Sequence, residues 1–294
     1  MEGFLTAFLN GLFMGAVYAS FALAISLVFG VMKIINFFHC SLITAGMYGI
    51  YFAWSALGLE PYVGVLLVVP LLFAFGYVLH NTFVLTLFKR ERAYIVEPIS
   101  VLLLTAGMWL MLDNIWLLIF GSQFRTVKSV VTGATFNVGG VTISIARLVA
   151  FVGGLALTFA LWWFLNNTRV GKGMRATAQN REAAALCGVN IYRMYNLAFA
   201  LGAAVIAVGA SFLMPFYYVD PNVGFSYDMK SFIIVVLGGM GSIPGTLVGG
   251  LIVGVVEAVT TQFVSGTYAG IAVFLVFVSC LIFRPQGLLG RETV

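Results

Sequence analysis

The chain has 294 residues, 62% of them hydrophobic and only 9% charged, with a mean hydropathy of +1.06. A soluble domain carries about 25% charged residues, so most of a water-facing surface is missing and a soluble globular domain is excluded. The formal net charge of +5 comes from Lys and Arg gathered between apolar stretches. That is the pattern of cytoplasmic loops in membrane proteins and not of a nucleic-acid surface, so the expected surroundings are a lipid bilayer, with no nucleic-acid partner.

A helix needs about 20 apolar residues to cross the bilayer core. That length predicts an all-α polytopic protein with about eight apolar segments, near 4–31, 34–56, 62–88, 95–120, 141–165, 194–219, 229–259 and 266–283, forming a single transmembrane domain over 1–294. The opening "MEGFLTAFLNGLFMG" lacks a basic n-region, and its apolar run outlasts a signal peptide's core. It reads as the first membrane segment. Asn36 and His39 open the second segment three residues apart, hence on one helical face. They point either to the translocation path or to hydrogen bonding between helices. His80, near the end of the third segment, reads as interfacial, and Arg147 as a snorkelling anchor. Asp113 and Glu257 lie inside the fourth and seventh segments, where a carboxylate is able to relay protons; no basic partner is evident at matching depth.

Ten of the fifteen Lys and Arg fall in three places. These are Lys89, Arg90 and Arg92; then Arg169, Lys172, Arg175, Arg181 and Arg193 in the loop 166–193; and Arg284 and Arg291 in the tail. The positive-inside tendency assigns all three to the cytoplasm and leaves 121–140 and 217–230 facing outward. Between Arg193 and Arg284 lie three apolar segments, and an odd number cannot return to the same side. One segment therefore enters and leaves by one face or holds two crossings, unless Arg284 lies outside. The long run 229–259 is the candidate, because "VLGGMGSIPGTLVGGLIVG" at 236–254 contains seven glycines and Pro244. Interrupted helices at membrane depth are tolerated where they line a cavity or are covered by protein. Gly238, Gly239, Gly241, Ser242 and Pro244 are thus candidate pathway residues together with Asn36 and His39. The pairs Gly11/Gly15, Gly245/Gly249 and Gly250/Gly254 allow close backbone approach, which serves either packing or the pathway.

The loop "NNTRVGKGMRATAQNREAAALCGVNIYRMYN" is polar, basic and Ala-rich. Asn180 is placed to cap a short helix, Gly188 to stop it and Val189-Asn190 to turn the chain. This helix is either an ordinary interfacial one or a docking element. "RATAQNREAAALCGVN" resembles the EAA-type coupling loop of importer permeases driven by ATP-binding-cassette subunits. Beyond it, "NGLFMGAVYASFALAISLVFGVMKIINFFHCSLITAGMYG" at 10–49, "FIIVVLGGMGSIPGTLVGGLIVGVVEA" at 232–258 and "FRPQGLLG" at 283–290 resemble signatures of the branched-chain amino acid permease family. They resemble its first-subunit type, across nearly the whole chain.

The resemblance implies a type II-like importer permease fold in a bacterial or archaeal cytoplasmic membrane. Its coupling residues would be Arg175, Arg181, Glu182, Ala183, Ala184 and Gly188. It implies as partners a second homologous permease subunit or a second copy, two cytoplasmic ATPases carrying ATP and Mg, and an extracytoplasmic binding protein. On position alone, Asp220, Pro221, Asn222 and Asp228 are candidate contacts for that binding protein. Where the family has an acidic residue two places after the histidine, this chain has Ser41.

The remaining chemistry is sparse. No Walker A pattern occurs: no Ser or Thr follows Lys172, and "GGMGSIPG" lacks lysine. Cys40, Cys187 and Cys280 are far apart, and two histidines provide neither a metal cluster nor a catalytic set. The expectation is a transport subunit with no cofactor or metal of its own. The competing reading is an ion-coupled transporter or channel for small amino acids or amides such as urea, working through Asp113 or Glu257.

Overall fold

The computed structural model describes residues 2–90, 98–138 and 141–290. Arg92 and Arg291, used above to orient the chain, lie outside the described residues. The helices are α1 (Glu2–Met32), α2 (His39–Leu57), α3 (Pro61–Leu79), α4 (Leu85–Arg90), α5 (Pro98–Phe120), α6 (Ile145–Asn167), α7 (Arg169–Gln179), α8 (Arg181–Leu186), α9 (Ile191–Leu213), α10 (Val223–Gly238), α11 (Ile243–Phe263) and α12 (Gly266–Phe283). A π-turn over His80–Val84 joins α3 to α4. Among the described residues, seven helical stretches are long and apolar enough to cross a bilayer. The all-α polytopic expectation holds, with one local exception. An antiparallel hairpin, β1 (Thr135–Val138) with β2 (Val141–Ser144), precedes α6, so the segment expected from 141 becomes helical only at Ile145.

α1 and α9 are almost wholly enclosed, whereas α3, α5 and α12 expose most of their apolar side chains, Leu66, Leu118 and Ile282 among them. Exposed aliphatic side chains on outer helices suit hydrocarbon, which carries no penalty for apolar contact. The centre is built by close backbone approach. α1 and α11 run antiparallel: a Cβ on Gly11 would stand 2.6 Å from Val255 Cα, and one on Gly15 2.6 Å from the Gly250 carbonyl oxygen. The small-residue pairs therefore serve helix packing, which in a bilayer is driven by van der Waals contact.

The run 229–259 is interrupted, as the glycines and charge parity predict. It holds two helices. α10 ends at Gly238, and α11 starts at Ile243 and runs back antiparallel to it, with Gly249 facing Ile234. The turn between them needs positive φ at Gly239 (+101°) and Gly241 (+87°), which glycine adopts without steric cost. Ser242 caps α11 by accepting from the Gly245 N–H at 3.2 Å, and Pro244 stands in the first turn, where its missing N–H costs nothing. Pro244 thus begins a helix and does not break one. Four helices, α9 to α12, lie between Arg193 and Arg284, and three of them, α9, α11 and α12, are long and apolar enough to cross a bilayer.

Candidate functional site

The polar loop folds as the sequence predicts. Asn180 accepts from the Ala183 N–H at 3.0 Å, the usual N-cap geometry. At the other end, Gly188 (φ +81°) donates to the Ala185 carbonyl at 2.9 Å and Val189 to that of Ala184 at 3.0 Å. Those two bonds make a Schellman closure, in which a left-handed residue satisfies the last carbonyls. Replacing Gly188 by alanine is expected to destabilise this closure by about 1 kcal/mol. The measurable outcome is faster amide hydrogen exchange over 180–189, with exchange in α9 unchanged.

Besides Gly188, the coupling residues differ in exposure and in bonding. Glu182 and Ala183 are exposed, as is Leu186, whose aliphatic side chain is 90% exposed. Ala184 is buried and faces inward. The two arginines act within the chain. Arg175 Nη1 donates to Asn166 Oδ1 at 2.8 Å at the end of α6, and Arg181 Nη2 donates to the Met32 carbonyl at 3.0 Å at the end of α1. A guanidinium at a helix C-terminus meets the negative end of the helix dipole and an unpaired carbonyl. Leu186 carried no signal in the sequence, because one leucine beside an alanine run looks like part of a buried face.

Met32 leads directly into the Asn36/His39 region. Lys33 adopts φ +58° and is the one non-glycine residue with positive φ among those described. A left-handed conformation at such a residue costs roughly 1–2 kcal/mol, and residues 33–38 then run without helix until His39 opens α2. Asn36 Nδ2 pairs with His39 Nδ1 at 2.8 Å, and Asn36 Oδ1 accepts from the Phe38 N–H at 3.0 Å. The His39 ring is fully buried against α9, where Gly202 leaves room for its Nε2 and Phe199 packs at 5.6 Å. His80, expected at an interface, is fully buried on the same Phe199 ring at 5.1 Å and pairs with Asn196, which in turn donates to Asn81. Both histidines therefore meet on one aromatic ring, although 41 positions separate them. A small cavity lined by Val28, Met32, Asn36, Val84, Thr105 and Phe199 adjoins the unwound segment.

The glycine turn lies at the same end of the bundle. Gly241 packs on Gly30 near the end of α1. The tail folds back so that Leu288 N–H donates to the Leu237 carbonyl at 2.8 Å and Leu289 N–H to that of Gly238 at 3.0 Å. These bonds satisfy carbonyls that the end of α10 leaves unpaired. Gly239 touches the backbone of Gly290, and Gly238 that of Gly245. Gly238, Gly239 and Gly241 thus meet backbone, Ser242 caps α11, and Pro244 is exposed.

At the opposite end, Arg125 and Val219 exchange backbone hydrogen bonds of 3.0 and 2.8 Å, tying the two segments expected to face outward. Glu60 Oε1 accepts from Ser129 Oγ and Val130 N–H at 2.6 and 2.7 Å. Asn222 is exposed, Asp220 half-buried and Pro221 buried. Asp228 is corrected: it lies inside α10 with 3% exposure, because the helix begins at Val223 and carries the residue inward. It does not share a surface with Asn222. Arg147 also departs from expectation, since its Nη1 donates to Asn10 Oδ1 at 2.9 Å on α1 instead of reaching outward.

Both intramembrane carboxylates have partners. Asp113 accepts from Ser41 Oγ and from Trp109 Nε1, the latter at 2.5 Å. Ser41, standing where an acid was expected, thus meets an acid from α5. Glu257 pairs with Lys230 at 2.7 Å, a basic partner that sequence distance concealed. Among the described residues there is no cluster of three or more His, Cys, Asp or Glu side chains suited to a metal ion.

The comparisons with known proteins agree with this architecture over the full chain. Residues 7–282 match the family model described as branched-chain amino acid transport system / permease component. The chain is similar to the high-affinity branched-chain amino acid transport system permease protein BraD of Pseudomonas aeruginosa, with 30% identity over 99% of this chain and 97% of that one. It is also similar to the permease protein LivH of Escherichia coli K12, with 31% identity and the same two coverages. A probable branched-chain amino acid transport permease LivH of Methanocaldococcus jannaschii is 24% identical over 92% of this chain and 88% of its own. No solved structure matches the chain significantly. With so nearly complete a match on a bundle whose capped polar helix, glycine turn and folded tail share one end, the chain belongs to the family of branched-chain amino acid transport system permease components.

Proposed function

We propose that this chain is a membrane-spanning permease subunit of an ATP-driven importer for branched-chain or related amino acids. The observation that carries the proposal is α8. It is a capped six-residue helix that presents Glu182 and Leu186 outward, while Arg181 fastens its base to α1. An exposed leucine beside a carboxylate suits docking into a groove on a soluble partner, since buried aliphatic anchors dominate interface energies. In this reading two cytoplasmic ATPases hold α8 and supply ATP and Mg. A second copy or homologous subunit completes the membrane part, and an extracytoplasmic binding protein delivers substrate to the face around Asp220, Pro221 and Asn222. The loop 166–193 and the tail are cytoplasmic, in a bacterial or archaeal inner membrane. ATP binding favours one membrane conformation through its differential affinity for the two states.

The test is co-purification from native membranes. Glu182→Lys and Leu186→Asp are each expected to strip the ATPases from the permease and reduce amino-acid uptake at least about tenfold, the loss of one anchor worth 1.4 kcal/mol or more. The permease itself should still insert and remain monodisperse. Unchanged ATPase recovery in both variants would sink the docking assignment. Uptake by the purified permease alone, driven by an ion gradient, would establish the ion-coupled reading in its place.

A further inference from the structure

Lys230 and Glu257 form the one ion pair found among the described residues, and it lies within the helix bundle. The Lys230 ammonium contacts Glu257 Oε1 at 2.7 Å and the Tyr18 hydroxyl at 3.2 Å, and stands 4.7 Å above the Tyr18 ring. The Tyr227 ring is 6.0 Å from the same ammonium and 5.9 Å from the Tyr18 ring, so aromatic faces flank the charge. Glu257 also meets the Tyr18 hydroxyl, so the ammonium, the carboxylate and the phenol form one cluster. The two charged side chains retain 32% and 24% of their exposure, so the pair is not sealed. Tyr227 also meets Tyr217 at 5.5 Å, which connects the cluster to the segment bridged with Arg125. That is the end of the bundle away from α7 and α8.

A partly buried ion pair rarely adds stability, because desolvation offsets the attraction and apolar replacements serve as well. The pair's chemistry instead matches a ligand that carries one cationic and one anionic group on the same carbon atom. We infer that Lys230 and Glu257 form a subsite for the α-amino and α-carboxylate groups of a zwitterion, on the side where substrate arrives. The substrate carboxylate takes Lys230, its ammonium takes Glu257, and the Tyr18 and Tyr227 rings attract that ammonium through their π faces. The ligand replaces each charge's partner with an equivalent one, so no charge is left unpaired when the pair opens. This inference rests on the amino-acid reading above.

The experiment uses the complete importer, with its ATPases and binding protein, in proteoliposomes and with radiolabelled leucine as the probe. Lys230→Gln and Glu257→Gln are each expected to lower uptake at least about tenfold, as for loss of a charged hydrogen-bond partner, while the ATPases remain bound. The charge-exchanged variant, Lys230→Glu with Glu257→Lys, rebuilds the pair and its contribution to folding. Its detergent stability should return to near wild type, and its uptake should stay low because the order of charges along the path is reversed. Near-normal uptake by the exchanged variant would overturn the subsite and leave the pair a structural tie. Near-normal uptake by both single variants would overturn it as well. If the wild-type importer moves no amino acid at all, the amino-acid reading fails and the subsite falls with it; failure in the variants alone concerns only the subsite.

Discussion

Replacing Gly15 by leucine is expected to prevent α1 and α11 from reaching their observed separation. A Cβ there would stand 2.6 Å from the Gly250 carbonyl oxygen and 2.8 Å from Leu251 Cα. Both atoms belong to helix backbone, so no rotamer change relieves the overlap, and the helices must part along their contact. Overpacking of this kind costs about 3 kcal/mol, equivalent to a melting temperature lower by roughly 6–12 °C. The loss should be measurable by thermal scanning of the detergent-solubilised protein, with aggregation following. Gly107→Ala and Gly270→Ala provide the contrast. Neither position has an atom within 4 Å of the new methyl group, and alanine is the better helix former by about 1 kcal/mol. These two variants should melt no lower than wild type. A Gly15→Leu protein as stable as the Gly107 variant would show that α1 and α11 do not hold the bundle together.

The second large effect is expected at Arg181. Its bond to the Met32 carbonyl links α8 directly to the place where α1 unwinds into residues 33–38. Lys33 keeps its left-handed backbone next to that carbonyl, and such strain persists where surrounding contacts fix it. Arg181→Ala removes the link and the packing of the guanidinium 5.8 Å from the Tyr195 ring, but leaves Glu182 and Leu186 in place. The expected result is retention of the ATPases on the permease with at least about tenfold less substrate moved per ATP hydrolysed, the effect of losing a charge-assisted hydrogen bond. Arg181→Lys keeps the charge but not the guanidinium geometry and should recover part of the ratio. Loss of the ATPases from the alanine variant would assign Arg181 to docking instead. An unchanged transport-to-hydrolysis ratio would remove it from the route altogether.

Much of this arrangement is legible along the chain because its signals are local. Asn180 and Gly188 mark the ends of α8 since capping and the left-handed stop depend on residues within one helical turn. The apolar lengths reveal the spans, and parity between Arg193 and Arg284 exposes the interruption at 238–242. The turn could even have been placed more closely. Ser242 followed by Pro244 is a helix start, and it shows that the run contains two helices and not one broken one.

Other features had no local signal. His39 and His80 look unrelated until α2, α3 and α9 bring both rings onto Phe199. The tail "FRPQGLLG" resembles a family signature, but nothing in it shows that its N–H groups cap the carbonyls of α10. Asp228 moved from a supposed surface to the interior because α10 starts earlier than its apolar run.

The sequence by itself determined that the chain lives in a membrane, where its polar helix lies and where its longest apolar run must break. Those properties follow from composition and from interactions spanning four or five residues. Only the tertiary structure decided what the buried polar groups do. In a low-dielectric interior each must find a partner, and the partner is chosen by which helices pack together. Glu257 meets Lys230 across 27 positions, Asp113 meets Ser41 across 72, and Arg181 meets Met32 across 149. Close packing of glycine on backbone between α10 and α11 brings Lys230 and Glu257 together, and no spacing within a single helix encodes any of the three pairings.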